Sequence, residues 1–298
     1  MVDRTMSGVY PILQIPFDAD GRIDEEDLRR EVDWAIGAGV GGLCIAMASE
    51  VYKLSEAERD LALRALVDQA GGRVNVVMST GAESTDVTIL YSRRAEELGA
   101  DALLIRPPTV VTPPADEVVL HFETVARAAG IPIFVQEQTG ASIAPGLAVR
   151  IAQRHENLCY LKTETPPTIP RVAEVAALRR DGVPIIFGGS GANFVFEEVR
   201  CGSVGTMPNC VLPDVICRLW RMWHEGRQEQ AEREIHRYAA FMRLIGQGQG
   251  LGIWLYKEAL MRRGVFKAAY CRRPALAPDG HQIRALEQLM DELEIGRV

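Results

Sequence analysis

One lysine of the chain lies where its amine could form a covalent bond with a substrate. Lys162 follows the apolar run Leu158–Leu161, which predicts a buried strand, and alternation along that strand places Tyr160, Lys162 and Glu164 on one face. A lysine amine at such a strand end can attack a ketone and form a Schiff base. The alternative is a structural ion pair between Lys162 and Glu164 or Glu137, since lysine is rarely buried without a partner.

Small residues form three further segments of interest. The turn Ala46–Glu50 could offer backbone N–H groups to a carboxylate, or it could be an ordinary loop with Glu50 in solvent. The cluster Gly188–Gly191 follows an apolar run at a point where many barrels bind phosphate, although glycines there could serve close backbone packing alone. The segment Gly246–Gly252 joins two predicted helices without a preceding strand, so we interpret it as a flexible connection and not as a nucleotide loop.

The elements that must position these residues are eight repeats of a short apolar run followed by an amphipathic stretch. The first run predicts a strand over Gly8–Phe17. The runs are almost continuously apolar, which is typical of parallel strands buried on both faces. Eight such units predict an α/β fold, a (β/α)8 TIM barrel over residues 1–225, with its active site at the carboxyl ends of the strands. Residues 226–298 predict a C-terminal extension of three helices, at 227–245, 251–264 and 281–295.

Two helix starts are marked by capping residues. Asp24 is a plausible N-cap of the first helix, with Asp27 three residues on. Ser55 and Glu58 have the spacing of a capping box before the second helix. Both signals place the helix starts directly after predicted strands or turns, as the repeat requires.

Composition and charge exclude several classes of function. The chain has 298 residues, 47% of them hydrophobic, and a net charge of −7, so its surface would repel the phosphate backbone of a nucleic acid. No apolar run approaches the roughly 18 residues of a membrane helix, and the N-terminal segment does not resemble a secretory signal. The six cysteines lack a CxxC pair and the five histidines lack an HExxH motif, which predicts free thiols and no zinc site. We therefore expect a cytoplasmic, metal-free protein that binds a small molecule, without nucleic-acid or membrane partners.

The order of the motifs resembles the dihydrodipicolinate synthase and N-acetylneuraminate lyase family of class I aldolase-type barrels, over essentially the whole chain. The similar segments are GVYPILQIPFDADGRID (8–24), GGLCIAMASE (41–50), VNVVMSTGAEST (74–85), LCYLKTE (158–164) and FGGSGA (187–192). The resemblance implies that Lys162 forms a Schiff base with a 2-oxo acid and that the turn with Met47, Ala48 and Ser49 binds its carboxylate. It also implies a homotetramer without a cofactor.

The sequence departs from the family pattern at positions that bind substrate and move protons. Met47 and Ala48 replace two threonines of the carboxylate-binding turn, so carboxylate binding would rest on backbone N–H groups and the Ser49 hydroxyl. Gln136 stands where the family has a proton-relay tyrosine. A tyrosine after the fourth strand is also missing, and the arginine that receives a second substrate carboxylate falls near Ala141. The 2-keto-3-deoxy-L-arabonate dehydratase branch of the family is similar to this chain, which has GLCI (42–45), IPIFVQE (131–137) and KTETP (162–166).

These features predict a lyase that joins Lys162 to a small 2-oxo acid and dehydrates a 2-keto-3-deoxy sugar acid to an α-ketoglutarate semialdehyde. Glu164 or Glu137 would transfer protons, and Gln136 would orient the substrate or a water. Main-chain groups are expected to frame the carboxylate and ketone at Ala48, Ser49, Gly189, Gly205 and Thr206. Three alternatives stay open: a retro-aldolase that releases pyruvate, a deaminase of a cyclic imine derived from hydroxyproline, and a catalytically silent barrel that binds a 2-oxo acid.

Overall fold

The computed structural model describes residues 2–138 and 140–298, in which eight parallel strands alternate with helices. The strands are β1 (Gly8–Val9), β2 (Gly42–Ile45), β3 (Asn75–Ser79), β4 (Ala102–Ile105), β5 (Ile133–Gln136), β6 (Tyr160–Thr163), β7 (Ile185–Gly188) and β8 (Ser203–Thr206). They form one sheet in the order β1-β8-β7-β6-β5-β4-β3-β2. This is a nearly closed (β/α)8 TIM barrel, and it confirms the predicted fold class.

The helices follow the strands in the predicted alternation and continue into the C-terminal extension. They are α1 (Glu25–Ala38), α2 (Glu56–Ala70), α3 (Thr85–Glu97), α4 (Ala115–Ala128), α5 (Pro145–Ala152), α6 (Thr168–Leu178), α7 (Val195–Arg200), α8 (Pro213–His224), α9 (Gln228–Arg237), α10 (Ala239–Ile245), α11 (Leu251–Arg262) and α12 (Gly280–Glu292). The predicted caps are confirmed. Asp24 accepts hydrogen bonds at the start of α1, and Ser55 forms a capping box with Glu58 at the start of α2.

Two elements differ in extent from the prediction. The first apolar run is expected as one strand from Gly8 to Phe17, but β1 ends at Val9 and two prolines, at positions 11 and 16, interrupt the run because proline has no N–H for a ladder. The helix predicted over 227–245 is divided at Tyr238, whose N–H donates to Ile235 O at 3.0 Å, three residues earlier. The C-terminal extension therefore contains four helices, α9 to α12, where three were expected.

The chain forms two compact units. Unit 1 consists of the described residues up to Tyr10 and of Asn75–Met207, and it contains β1 and β3 to β8 with α3 to α7. Unit 2 consists of Pro11–Val74 and Pro208–Val298, with β2, α1, α2 and α8 to α12. The domain boundary predicted at residue 225 stays a prediction, since these units are defined by spatial packing.

Side chains of the sheet in unit 1 alternate between two faces. The rings of Phe134 on β5 and Phe187 on β7 have centroids 5.1 Å apart although β6 lies between their strands. Phe134 also stacks on Tyr160 at 4.4 Å. Side chains two strands apart meet this closely on a concave surface, so we call this side the inner face and the side covered by helices the outer face. Alternation then places Lys162 on the inner face and Thr163 on the outer face.

Two further expectations from the sequence concern membrane-spanning helices and the cysteines. Within them, no helix combines the length and the apolar character needed to cross a bilayer. All six cysteines belong to that part of the chain and are free thiols, as the sequence predicts.

Candidate active site

Lys162 lies at the carboxyl end of β6 with its side chain on the inner face, and only 3% of it is exposed. Gln136 on β5 and Phe187 on β7 stand opposite it in the two neighbouring ladders. The Lys162 Nζ lies 3.1 Å from Glu164 Oε2, and the Gln136 side-chain amide donates to the same oxygen, also at 3.1 Å. One carboxylate oxygen therefore contacts both the amine and the amide, which brings together three of the predicted site residues.

The structure separates the two candidate carboxylates. Glu137 follows Gln136 along the chain and points the opposite way, where its carboxylate accepts hydrogen bonds from Arg171 at 3.1 and 2.5 Å. Glu164 is the carboxylate at the amine, and 29% of its side chain is exposed. The geometry therefore does not support a proton-transfer role for Glu137 at Lys162. Alternation along β5 already indicates this once Gln136 faces inward.

The contact between Lys162 and Glu164 agrees with both interpretations of the sequence, because an ion pair and a proton-transfer pair need the same proximity. The Gln136 side-chain oxygen Oε1 is buried and has no hydrogen-bond partner among the described residues, so it can accept a hydrogen bond from a ligand. Both interpretations of Lys162 stay predictions.

Two glycines predicted to frame the substrate have packing roles in unit 1, and a third residue of that prediction is buried there. A Cβ on Gly189 would lie 3.1 Å from Glu164 Cβ and 3.2 Å from its Cγ, so this glycine leaves room for the Glu164 side chain. A Cβ on Gly205 would lie 2.3 Å from Phe187 Cε1, so this glycine admits the aromatic ring. Thr206 is completely buried. The role of their main-chain groups as substrate ligands stays a prediction.

The turn expected to bind a carboxylate lies in unit 2 as the 3₁₀ turn Met47–Ser49. Ser49 is completely buried. Its hydroxyl donates to Leu13 O and accepts from the Ala46 N–H at 3.0 Å. This geometry does not support the expectation that the hydroxyl binds a carboxylate, since its one proton is already donated. The main-chain groups of the turn, including those of Ala48, stay the predicted ligands.

Glu50 is not the solvated loop residue considered above. It is completely buried with a left-handed φ of 60°, and its carboxylate lies 2.8 Å from Lys53 Nζ and 2.5 Å from Lys257 Nζ. Desolvation disfavours the ammonium form and lowers the pKa of Lys257. The three charges fasten the turn to α11 within unit 2. Local sequence could not reveal this, because Lys257 is 207 positions from Glu50.

Arg106 directly follows β4 and is absent from the residues predicted to act. Its guanidinium donates to Glu83 Oε1 at 2.7 Å and to Pro107 O at 2.9 Å. Burial acts to raise the pKa of Glu83, but the N–H groups of Val110 and Thr109 and the Arg106 guanidinium outweigh it and lower that pKa to about 2. These contacts anchor the loop that follows β4. A charged residue immediately after an apolar strand is the signal that could have identified it.

A (β/α)8 barrel with a lysine at the end of its sixth strand and a carboxylate on the amine has the arrangement of class I aldolase-type lyases. Residues 5–293 match the model of the Dihydrodipicolinate synthetase family. The chain belongs to this family, and it is a lyase.

The chain is similar to family members with different reactions. It is 31% identical over 296 residues to the L-2-keto-3-deoxyarabonate dehydratase of Azospirillum brasilense, covering 96% of this chain and 95% of that protein. It is 34% identical over 222 residues to the 4-hydroxy-tetrahydrodipicolinate synthase of Salinibacter ruber, covering 73% of each. The crystal structure of dihydrodipicolinate synthase from Thermotoga maritima has the same fold, with a TM-score of 0.92 at 21% identity over 98% of this chain and 100% of that one.

Proposed function

We propose that this protein dehydrates a 2-keto-3-deoxy sugar acid of five carbons to 2,5-dioxopentanoate, the semialdehyde of α-ketoglutarate, through a Schiff base on Lys162. The observation that carries the proposal is the contact of Lys162 Nζ with Glu164 Oε2 at 3.1 Å, with an amide at Gln136 where the family has a phenol. The similarity to a 2-keto-3-deoxyarabonate dehydratase along nearly the whole chain supports the choice of reaction.

The first step joins the substrate to the enzyme. The unprotonated Lys162 amine attacks the ketone carbon C2, and the resulting carbinolamine loses its hydroxyl as water to give an iminium. Glu164 passes the proton that leaves Nζ to the new C2 oxygen, which gives the carbinolamine. One further proton, taken up from solvent through Glu164, lets the hydroxyl leave as water, and hydrolysis of the iminium later returns that proton. The iminium withdraws electrons from C3, so that a C3 proton becomes acidic and no metal or organic cofactor is needed as the electron sink.

Elimination then needs one carboxyl group in two successive roles. The Glu164 carboxylate takes a C3 proton, which forms an enamine, and the enamine expels the C4 hydroxyl with the proton that Glu164 returns, so that it leaves as water. The product has a C3–C4 double bond conjugated with the iminium. A shift of one proton from C5 to C3 and of the C5 hydroxyl proton to C4 converts C5 to an aldehyde. Hydrolysis of the iminium consumes one water, so the net change is the loss of one water.

Cleavage of the C3–C4 bond competes with this elimination. A retro-aldol reaction requires a base on the C4 hydroxyl, because that oxygen becomes a carbonyl as the bond breaks. A neutral amide such as Gln136 is not a base near neutral pH, although its unpartnered Oε1 can accept a hydrogen bond from a substrate hydroxyl. A missing acid–base group costs on the order of 10²–10⁴ in rate, which favours dehydration over cleavage.

The test supplies both enantiomers of 2-keto-3-deoxypentonate and identifies the products by mass spectrometry. Loss of one water to give 2,5-dioxopentanoate supports the proposal, whereas pyruvate and glycolaldehyde as main products would establish the retro-aldolase instead. The variant Gln136→Tyr restores a phenol at the same position and should increase the share of cleavage. Turnover of neither enantiomer, combined with binding of pyruvate, would indicate the catalytically silent barrel.

We also propose that the protein is a homotetramer, as the family resemblance implies, and that it is cytoplasmic, as its cysteine pattern predicts. Sedimentation at micromolar concentration tests the assembly. A single species at the 32.8 kDa of one chain would contradict it.

A further inference from the structure

A second set of polar groups lies behind the active site, on the outer face of the same strand ends. Thr163 on β6, Gly188 on β7 and Thr206 on β8 stand opposite one another in the ladders and form one row across the three strands. Alternation directs their side-chain positions away from Lys162, which precedes Thr163. Neighbouring strands are about 4.8 Å apart, so groups in this row are near neighbours.

The middle of the row is occupied by a carboxyl group from α7. A Cβ on Gly188 would lie 1.8 Å from Glu198 Oε2, so the Glu198 carboxyl sits in the space that only glycine leaves open. The Thr168 hydroxyl at the start of α6 donates to the other carboxyl oxygen, Oε1, at 2.5 Å. Glu198 is 1% exposed. The row, α6 and α7 therefore enclose the Glu198 carboxyl group, with Thr163 on one side of Gly188 and Thr206 on the other.

Three oxygen atoms of this cluster have no hydrogen-bond partner among the described residues. They are Thr163 Oγ1, Thr206 Oγ1 and Glu198 Oε2, and each belongs to a side chain that is at most 1% exposed. Buried polar atoms are almost always paired. A neutral carboxyl group has an O–H that it can donate to either threonine hydroxyl, directly or through a bridging water. Such a bond would give a partner to Glu198 Oε2 and to one of the two hydroxyls.

The surroundings of Glu198 favour this neutral form. Burial is the main cause that raises its pKa, to about 8, and the Thr168 hydrogen bond opposes the shift only in part. The charges that act on Glu198 are both negative, from Glu197 on its own helix and from Glu164 beyond β6. β7 presents Gly188 to it, and α6 presents the Thr168 hydroxyl. No cation is available in these contacts to stabilise an ionised carboxylate.

We propose that Glu198 is a positioning residue of the reaction: as a neutral acid it ties together the outer sides of the β6 and β7 ends and so holds Lys162 and Glu164 in place on the inner side. Thr163 is the residue between Lys162 and Glu164. Gly189, which follows Gly188, has no side chain and so leaves the space that the Glu164 side chain occupies. A displacement of the outer row therefore also displaces Lys162 and Glu164, because Thr163 adjoins both of them and Gly188 adjoins Gly189.

Ionisation of Glu198 removes the O–H donor and adds a second negative charge near Glu164. The geometry of the amine and carboxylate should then be lost as the pH rises past about 8. This inference rests on the proposed function, since the groups it positions are those of the Schiff-base reaction.

The experiment measures the rate of Schiff-base formation against pH, by trapping with pyruvate and borohydride and by mass analysis of the peptide that carries Lys162. The proteins compared are the wild type, Glu198→Gln, Glu198→Ala and the control Glu174→Gln, which makes the same change at an exposed position of α6. The rates of the wild type and the control, each divided by the rate of Glu198→Gln at the same pH, should fall about tenfold for each pH unit above about 8, as expected when one protonated group is required. This ratio removes the effect of pH on the Lys162 amine, which attacks in its unprotonated form.

Glu198→Gln keeps a neutral donor of the same size, so it should retain the rate at neutral pH and lack this alkaline loss. Glu198→Ala should be slow at every pH, because it removes the donor and leaves the hydroxyls unpaired. An alkaline loss in Glu198→Gln equal to that of the wild type would overturn the positioning role alone. Absence of any adduct on wild-type Lys162 would overturn the proposed function and the positioning role together.

Discussion

The inner and outer faces of the β6 and β7 ends each carry a glutamate, and the two glutamates have opposite surroundings. On the inner face, Glu164 contacts the Lys162 amine and the Gln136 amide and keeps 29% of its side chain exposed. On the outer face, Glu198 is 1% exposed, and its carboxyl group accepts a hydrogen bond from Thr168. The difference shows that burial and partner decide what a carboxyl group can do.

The surroundings of the two glutamates suit them to different roles, Glu164 to proton transfer and Glu198 to holding the strand ends in place. Glu164 contacts the Lys162 amine and an amide donor and has access to solvent, which suits it to the proton transfers of the proposed reaction. Glu198 has neither a cation nor solvent, so it is suited to hold one proton and act as a fixed donor. Substitutions on the inner face should change the chemistry, whereas substitutions on the outer face should change pH dependence and stability.

The largest effect should come from the inner-face lysine. Lys162→Ala removes the nucleophile, and a loss in kcat on the order of 10⁶ is the size seen when a covalent nucleophile is removed from other enzymes. Lys162→Arg should be equally inactive, because a guanidinium stays protonated. Turnover and borohydride trapping with pyruvate measure both variants. Unchanged turnover in Lys162→Ala would show that the amine serves only in a structural ion pair.

The next effect distinguishes the two carboxylates first considered for proton transfer. Glu164→Gln should lower kcat by roughly 10²–10⁴ and still form an adduct with pyruvate once the reaction is given time. Glu137→Gln is the matched control. It weakens the charged hydrogen bonds with Arg171 and should cost about 1–3 kcal/mol of stability, with turnover close to that of the wild type. The comparison fails if Glu137→Gln shows the larger loss in kcat.

Thermal unfolding against pH tests the proton on the outer-face glutamate. The pKa of Glu198 is about 8 in the folded protein against an ordinary 4.5, so the unfolded chain loses this proton first as the pH rises. The wild type should therefore lose stability relative to Glu198→Gln between about pH 5 and about pH 9, by several kcal/mol in total. Below that window the difference between the two proteins should be constant. A Tm difference that does not vary with pH would show that Glu198 is ionised throughout.

The smallest effects should come from two adjacent glycines whose side-chain positions lie on opposite faces. Gly188→Ala places a methyl group where the Glu198 carboxyl sits and should cost about 1–3 kcal/mol of stability, as overpacking does. Gly189→Ala presses on Glu164 at 3.1–3.2 Å and should lower kcat a few-fold with a smaller loss of stability. Unfolding and turnover measured on both variants give the contrast. Identical behaviour of the two would remove the distinction between the faces.

The sequence alone determined the architecture and the position of the central residue. Eight apolar runs separated by amphipathic stretches predicted the barrel, because strand and helix periods are local properties of the chain. Asp24 and Ser55 predicted their helix starts for the same reason. Lys162 was found because a lysine at the end of an apolar strand is unusual in any context, and the strand alternation that places it beside Glu164 is also local.

The tertiary structure decided which of the polar groups act together. Ser49 could not be assigned from its turn, because its hydroxyl binds Leu13, 36 positions earlier. Glu50 would lie in solvent in one of the two interpretations of its turn, but it is buried against Lys257, far along the chain. Glu198 gave no signal at all, since two adjacent glutamates on a short helix are typical of a solvated surface. Its burial exists only because Gly188 on the neighbouring strand has no side chain, and that contact depends on packing between elements rather than on local pattern.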